Sequence, residues 1–437
     1  MAVSTTDPNL KATFGHLPEE DAKEIEEVYR SGGAAGFAKL LQDRNDRWKT
    51  VPLNIAVIGQ SGAGKSSYIN CSRNITAEDE GGAAVGITET TSAIKSYAHP
   101  DNHLLLYWEL PGVGTPNFPR GTYLEKINFT RYDFYLLLSS TRFSDNDLWL
   151  GEEIKKHGKK FFFVRTKSGI DVKNQRKSHP KGSKDRSDDD ILQQVRNDII
   201  AKLNLEPAQR DYVFLIDSYK KEKFEFWKLQ DRLLSALPEL KREAFLYSLS
   251  PMGMLSKKIL QEKVESLKNR IWMIALTSGI TGLIPIPGAS AAIDLTLVFT
   301  ECSFYKHQLG LDPASLAATA ASHGVDVHLL EKAVASCLPS LVTKDLIFSL
   351  CKELAYQTSG QIVEEALKFI PIIGSLIAAP ISYLLTRQAL YTILDKMDNA
   401  ANQVIDICVS TVHRKALEET RKDCEELRNK KPASGEK

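Results

Sequence analysis

One run of residues, Gly59-Gln60-Ser61-Gly62-Ala63-Gly64-Lys65-Ser66, combines closely spaced glycines, an ammonium and a hydroxyl in an order suited to gripping a polyphosphate. Glycines at that spacing let the backbone curl until its amide NH groups point inward at phosphate oxygens. Lys65 is expected to reach the β- and γ-phosphates and Ser66 to ligate Mg2+, with Ser67 following on the same turn. So short a pattern can also arise by chance, so its neighbours decide. Upstream, Leu53-Asn54-Ile55-Ala56-Val57-Ile58 reads as a buried parallel strand, and downstream Ser67-Tyr68-Ile69-Asn70 starts a helix whose N-terminal dipole also attracts anions. Strand, glycine turn and helix together are the context that this chemistry requires.

An acid that helps hold the metal should end a second buried strand, and Leu104-Leu105-Leu106-Tyr107-Trp108-Glu109 ends in one. Glu109 stands where aspartate is commoner, and its extra methylene still permits a water-mediated hold on Mg2+. Gly112 is expected to offer a backbone NH to the γ-phosphate. Val113, next in line, has no group to orient an attacking water, so intrinsic hydrolysis should be slow unless a second molecule completes the site. Between these elements, residues 81–91 form a glycine- and hydroxyl-rich loop able to close over the metal. Thr88 and Thr91 are alternative metal ligands there, and the plainer reading is a surface connection.

Base recognition rests on Thr166-Lys167-Ser168-Gly169-Ile170-Asp171. A guanine-selective site asks for Thr/Asn-Lys-x-Asp, in which the lysine stem covers the ring and the carboxylate accepts from the ring NH and exocyclic amine. Lys167 is in place, but Gly169 occupies the acid position. Asp171, two residues on, could enter the slot if the loop is remodelled. Asp217 and Ser218, after Leu215-Ile216, sit where a loop following a late strand commonly touches the base.

The elements that must position these residues are legible around them. From residue 53 to about 238, apolar strands alternate with helices, the pattern of a doubly wound, mostly parallel α/β sheet. Strands are expected at Asn54 to Gly59, Ala93 to Ala98, Leu104 to Leu110, Phe134 to Ser139, Lys160 to Thr166 and Tyr212 to Ile216. Before them, Leu17 to Arg30 has helical spacing, and a second short helix should follow Gly32-Gly33. Beyond Pro238 only helical periodicity remains, as in Ala401, Ile405, Cys408 and Val412. The expected organisation is an α/β P-loop domain over 51–238 and an all-α domain over 239–428, joined by N-terminal helices from 1–50, with a flexible tail at 429–437.

Composition narrows the classes. A net charge of +1 over 437 residues argues against a nucleic-acid partner, and nine scattered histidines offer no transition-metal spacing. Six widely spaced cysteines without CxxC read as reduced thiols of an intracellular protein. The mixed-sign stretch Lys173 to Asp190 lacks aromatics and reads as a solvated loop leading into an acid-capped helix. Ile271 to Ile293 and Phe369 to Thr386, 23 and 18 residues without a charge, approach spanning length. Gly279, Gly282, Pro285, Pro287 and Gly288 interrupt the first and Pro371, Gly374 and Pro380 the second. Buried helical hairpins are therefore the plainer reading, ahead of a conditional membrane surface and then of fixed spans. Ala2 after Met1, and Gly435-Glu436-Lys437 at the other end, encode no lipid anchor.

The runs Trp108-Glu109-Leu110-Pro111-Gly112-Val113-Gly114, Tyr132-Asp133-Phe134, Ser140-Thr141-Arg142-Phe143, Asn146-Asp147 and Phe162-Phe163-Val164-Arg165-Thr166-Lys167 make this chain resemble the immunity-related GTPases, which are interferon-inducible. The likeness continues through Gly282-Leu283-Ile284-Pro285-Ile286-Pro287-Gly288, covers nearly the whole chain, and is nearest to the interferon-inducible GTPase 5-like group. It implies a dynamin-like protein of cell-autonomous defence that binds GTP and GDP, pairs as a homodimer or GTP-dependent oligomer through its nucleotide face, and moves from the cytoplasm onto vacuolar or other intracellular membranes. It further implies that Glu89 assists hydrolysis across the dimer. The chain departs from the family pattern at Glu109 and Gly169, both aspartates there, which bears on turnover and guanine preference and leaves phosphate binding intact. The expected function is thus slow GTP hydrolysis that reverses assembly, and the alternative is a nucleotide-binding switch or scaffold that hydrolyses poorly. A purely structural helical protein would leave Lys65 and Ser66 without a purpose.

Overall fold

Parallel strands must be covered on both faces, because their crossover helices lie on both sides. The computed structural model describes residues 19–86, 93–178, 187–221, 223–249, 256–281, 289–338 and 380–429. The chain divides into two units, Trp48–Gly253 and the combination of Met1–Arg47 with Met254–Lys437. Ahead of the sheet, α1 (Glu19–Asn45) leaves helical geometry at Gly33 (φ 61°, ψ −159°), where the Gly32-Gly33 break separates its two halves.

The sheet unit contains β1 (Leu53–Ile58), β2 (Lys95–His99), β3 (Asn102–Leu110), β4 (Phe134–Ser139), β5 (Lys160–Arg165) and β6 (Val213–Leu215) in the order β2-β3-β1-β4-β5-β6. Only β2, at the edge, runs antiparallel to its neighbour; the other pairings are parallel. Every residue of β4 is buried, as a strand covered on both faces should be. The helices α2 (Lys65–Arg73), α3 (Tyr123–Lys126), α4 (Asp145–Lys156), α5 (Ser168–Ser178), α6 (Asp188–Lys202), α7 (Phe226–Ala236) and α8 (Glu239–Ser248) complete the unit. Capping boxes start α4 and α6: Ser144 and Asp147, then Ser187 and Asp190, each exchange side-chain and backbone bonds across the first turn. Ile58, Leu110, Tyr123, Leu137, Leu150 and Phe163 share one core cluster. Phe162 packs between Phe134 and Phe214 in tilted and edge-to-face contacts, with centroid separations of 4.8 and 5.0 Å.

Two expectations are corrected. The start of the Lys173 to Asp190 stretch is helical, because α5 runs from Ser168 to Ser178, and Arg176 Nη2 pairs with Asp188 Oδ1 at 2.6 Å. The α/β unit also extends past the expected limit at residue 238. The reason is α8, which packs on β1 and β3, while Lys241 Nζ donates to Asp133 Oδ1 at 2.6 Å and the other Asp133 oxygen accepts from the Asn54 amide at 2.9 Å.

In the helical unit, α9 (Lys257–Thr281), α10 (Ala289–Gln308), α11 (Pro313–His323), α12 (Val327–Cys337) and the long α13 (Pro380–Asn429) follow in order. Helix α9 packs against α13, α10 and α1. The buried Arg270 joins three elements: its Nε meets Glu301 Oε1 at 3.0 Å and its Nη1 donates to the Asn45 carbonyl at 2.7 Å, at the end of α1. A guanidinium removed from water needs such a set of partners. Among the described residues no helix is long and apolar enough to cross a membrane. The breaker-rich motif at 282–288, all but the end of the apolar stretch from Phe369 and the tail beyond Asn429 lie outside the described residues.

Candidate phosphate site and its base-side loops

Helix α2 and strand β1 meet at the point in the strand order where the chain reverses direction, with β3 on one side of β1 and β4 on the other. In such sheets ligands bind beyond the carboxyl ends of the strands at that point. The turn from Gly59 to Gly64 occupies that place. A side chain at Gly59 would fall against the Leu138 carbonyl of β4, and Gly64 adopts φ +85° as it caps α2, so neither position tolerates another residue without strain.

The turn's carbonyls are tied back by side chains. Lys65 Nζ donates to the Gly59 and Gln60 carbonyls at 2.9 and 3.2 Å, Lys167 Nζ to that of Gly62 at 2.9 Å, and Thr166 Oγ1 to that of Ala63 at 2.8 Å. The amides of Ser61, Gly62 and Gly64 donate no hydrogen bond to any described residue. Anchored carbonyls with unpaired amides make an anion-binding concavity, and it opens directly onto a helix N-terminus.

At the first turn of α2, Ser66 Oγ donates to Glu109 Oε1 at 2.9 Å, so residues 43 apart in sequence meet at the end of β3. Both are buried, at 8% and 3% exposure. A hydroxyl and a carboxylate are hard oxygen donors, the type Mg2+ takes alongside phosphate oxygens, so the pair fits that ion. The Tyr97 phenol on β2 is raised above its usual pKa, first by burial and then by the negative charge of Glu109. Gly112 follows β3 beside the Gln60 carboxamide, which donates to the Val113 carbonyl at 3.0 Å. The Val113 side chain is packed in the core.

On the base side, Thr166 and Lys167 lie against the phosphate turn, and Lys167 is held at φ +57°. Asp171 does not join them. It sits in the first turns of α5, where Arg165 grips it in a two-pronged ion pair with both distances 2.8 Å, so it is committed to β5. Asp217 and Ser218 follow β6, and their loop is fastened to α2: Lys221 Nζ donates to the Cys71 carbonyl at 2.9 Å, and the Tyr219 hydroxyl lies 3.3 Å from that of Ser67. Sequence reasoning missed Tyr219 and Lys221, which carry no motif, and no local signal marks them. Thr88, Glu89 and Thr91 lie outside the described residues. A separate cleft of about 750 Å3 between α6, β6 and α7, lined by Gln193, Arg196 and Asp231, opens near the start of β6, the opposite strand end from the phosphate turn.

Comparison with known proteins agrees with this geometry. The family pattern described as Interferon-inducible GTPase (IIGP) matches residues 18–406. Interferon-inducible GTPase 5 of Rattus norvegicus is 32% identical over 391 residues, 89% of this chain and 82% of that protein. Interferon-gamma-inducible GTPase 10 of Mus musculus is 35% identical over 347 residues, 79% and 81% of the respective chains. Among solved structures, an oligomerised bacterial dynamin pair aligns over 98% of this chain and 80% of its own at 10% identity and a TM-score of 0.30, too low to carry an argument.

Proposed function

The chain belongs to the interferon-inducible GTPase family, enzymes that hydrolyse GTP, and from that premise we propose that it does so slowly, with Gly59 to Ser66 as its polyphosphate cradle. The observation that carries this reading is the turn itself, with four carbonyls held by side-chain donors and the Ser61, Gly62 and Gly64 amides left for an anion. The amides bind phosphate oxygens, and Lys65 Nζ exchanges its two backbone carbonyls for the β- and γ-oxygens. Ser66 and Glu109 would hold Mg2+, which neutralises charge on the phosphates when bound. The Gly112 amide faces the γ-phosphate as a sensor of its presence.

Slow turnover is supported by Val113, whose side chain lies in the core and whose carbonyl is occupied by Gln60 and Asn146. No group at that position orients water, so the missing element comes from a second copy of the chain, with Glu89 at the shared nucleotide face. Binding of GTP then favours a homodimer or larger oligomer at intracellular membranes, and hydrolysis to GDP releases it, in keeping with the defence role the family resemblance implies.

The test is phosphate release from Mg·GTP at rising protein concentration. A per-molecule rate that climbs with concentration, and disappears in Lys65→Ala, is expected. A rate at background throughout, with GTP still bound, favours a nucleotide-binding switch or scaffold instead.

A further inference from the structure

Gly169 leaves the base-recognition sequence without its acid, yet the structure puts a carboxylate at that spot. An idealised Cβ built on Gly169 would lie 2.6 Å from Asp217 Oδ2. Within a single aspartate, a carboxylate oxygen lies about 2.4 Å from its own Cβ, given ordinary carbon and carboxyl bond lengths. Asp217 therefore holds an oxygen at nearly the distance from position 169 at which an aspartate there would hold its own, although it arrives from a loop 48 residues later.

The surroundings fix it there. Asp217 is 9% exposed, and its Oδ1 accepts from the Tyr219 amide at 3.0 Å in a local turn. The Ser168 amide donates to the Ile216 carbonyl at 3.0 Å, which pins the Asp217 loop against the start of α5. Lys221 and Tyr219 fasten the far side of the loop to α2. Among the described residues, Oδ2 accepts no hydrogen bond and is not sealed from solvent, so it stays open to a donor from a ligand. A side chain at 169 would meet Asp217 Oδ2 at 2.6 Å, so the carboxylate would have to move from its present place to admit one.

We propose that Asp217 is the specificity-determining acid of this nucleotide site, its Oδ2 accepting from the ring NH and 2-amino group of guanine in place of a side chain at position 169. The proposal rests on the reading of the site as a GTP site. Adenine presents a lone pair on that edge where guanine has an NH, so the carboxylate repels it. Xanthine has a carbonyl where guanine has the 2-amino group and is rejected for the same reason.

Equilibrium binding of GDP, xanthosine diphosphate and ADP to wild type, Asp217→Asn, Asp217→Gly and the swap Gly169→Asp/Asp217→Gly tests it, with thermal unfolding of each variant recorded. Wild type should prefer GDP over both rivals. Asp217→Asn keeps the Oδ1 acceptor and replaces Oδ2 by an amide donor, so GDP affinity should fall roughly ten- to hundredfold, the scale of a lost charge-assisted bond, while xanthosine diphosphate affinity rises. The swap should recover a preference for GDP that Asp217→Gly lacks, and it decides the matter if Asp217→Asn does not fold. An unchanged GDP to xanthosine diphosphate ratio in folded Asp217→Asn overturns the proposal, as does equal weakening of both nucleotides, which would make Asp217 a loop support only. A wild type that binds GDP and ADP alike overturns it while sparing phosphate binding. A wild type that binds no nucleotide removes the GTP reading as well.

Discussion

The proposed phosphate end and base end of the site are built on different principles. The phosphate end is local: its phosphate-facing groups come from the contiguous run Gly59 to Ser66, and residues distant in sequence only brace it, Thr166 and Lys167 at its carbonyls and Glu109 at Ser66, 2.9 Å away. The base end is composite. Thr166 and Lys167 come from the exit of β5, Asp217 and Ser218 from the exit of β6, and the fasteners Tyr219 and Lys221 reach back to α2. A site made of backbone amides on a contiguous loop tolerates little change in sequence. One assembled from side chains on separate loops can pass a functional group from one loop to another, provided that the space and the atom end up in the same place.

The sharpest way to break this comparison is to fill Gly59. Gly59→Ala pushes a methyl group into the Leu138 carbonyl, and overpacking of this kind costs about 1–3 kcal/mol. A lowered unfolding midpoint together with lost nucleotide binding is expected, and a neutral result would mean that the turn is not held rigidly against β4. Next comes Ser66→Ala. It removes one of the partners of Glu109, at 2.9 Å, and the hydroxyl offered to Mg2+, so the stimulation of GTP binding by Mg2+ should drop about tenfold or more in titrations with and without chelator.

Thr166→Val probes the link between the two ends. It leaves the Ala63 carbonyl unpaired in a buried setting, a loss of about 1–3 kcal/mol that should weaken GTP and ATP binding equally. Selective weakening of one would show that Thr166 reads the base. The smallest effect is expected from Asp171→Asn. The Arg165 pair is partly exposed, so its loss should cost about 1 kcal/mol of stability and leave the preference for GDP over ADP unchanged. A collapse of that preference would return the base-reading role to Asp171 and remove the distinction between the two ends.

Legibility from sequence follows the same division. Period-two and continuous apolar runs gave the strands to within about two residues, because burial on both faces of a parallel sheet leaves an unmistakable hydrophobic record, as in Phe134 to Ser139. The Gly32-Gly33 break was legible for a local reason, since glycine pairs interrupt helical geometry. Chain order could not show that Lys241 would bind Asp133 and draw α8 onto the sheet, nor that Arg165 would capture Asp171. Both are ion pairs between residues whose proximity exists only after folding. At the base end the sequence offered two acids near the right loops, and proximity in the chain favoured Asp171, whereas proximity in space favours Asp217.

The central claim is that the turn from Gly59 to Ser66 grips a guanine nucleotide by its phosphates. Calorimetric titration of Mg·GDP into the full chain, beside Lys65→Ala at matched folding, measures it directly. One nucleotide per chain is expected for wild type, with affinity reduced about a hundredfold or more in the variant, as expected when an ammonium contacting two phosphate groups is removed. Equal affinity in both proteins, or no heat from wild type, would contradict the account.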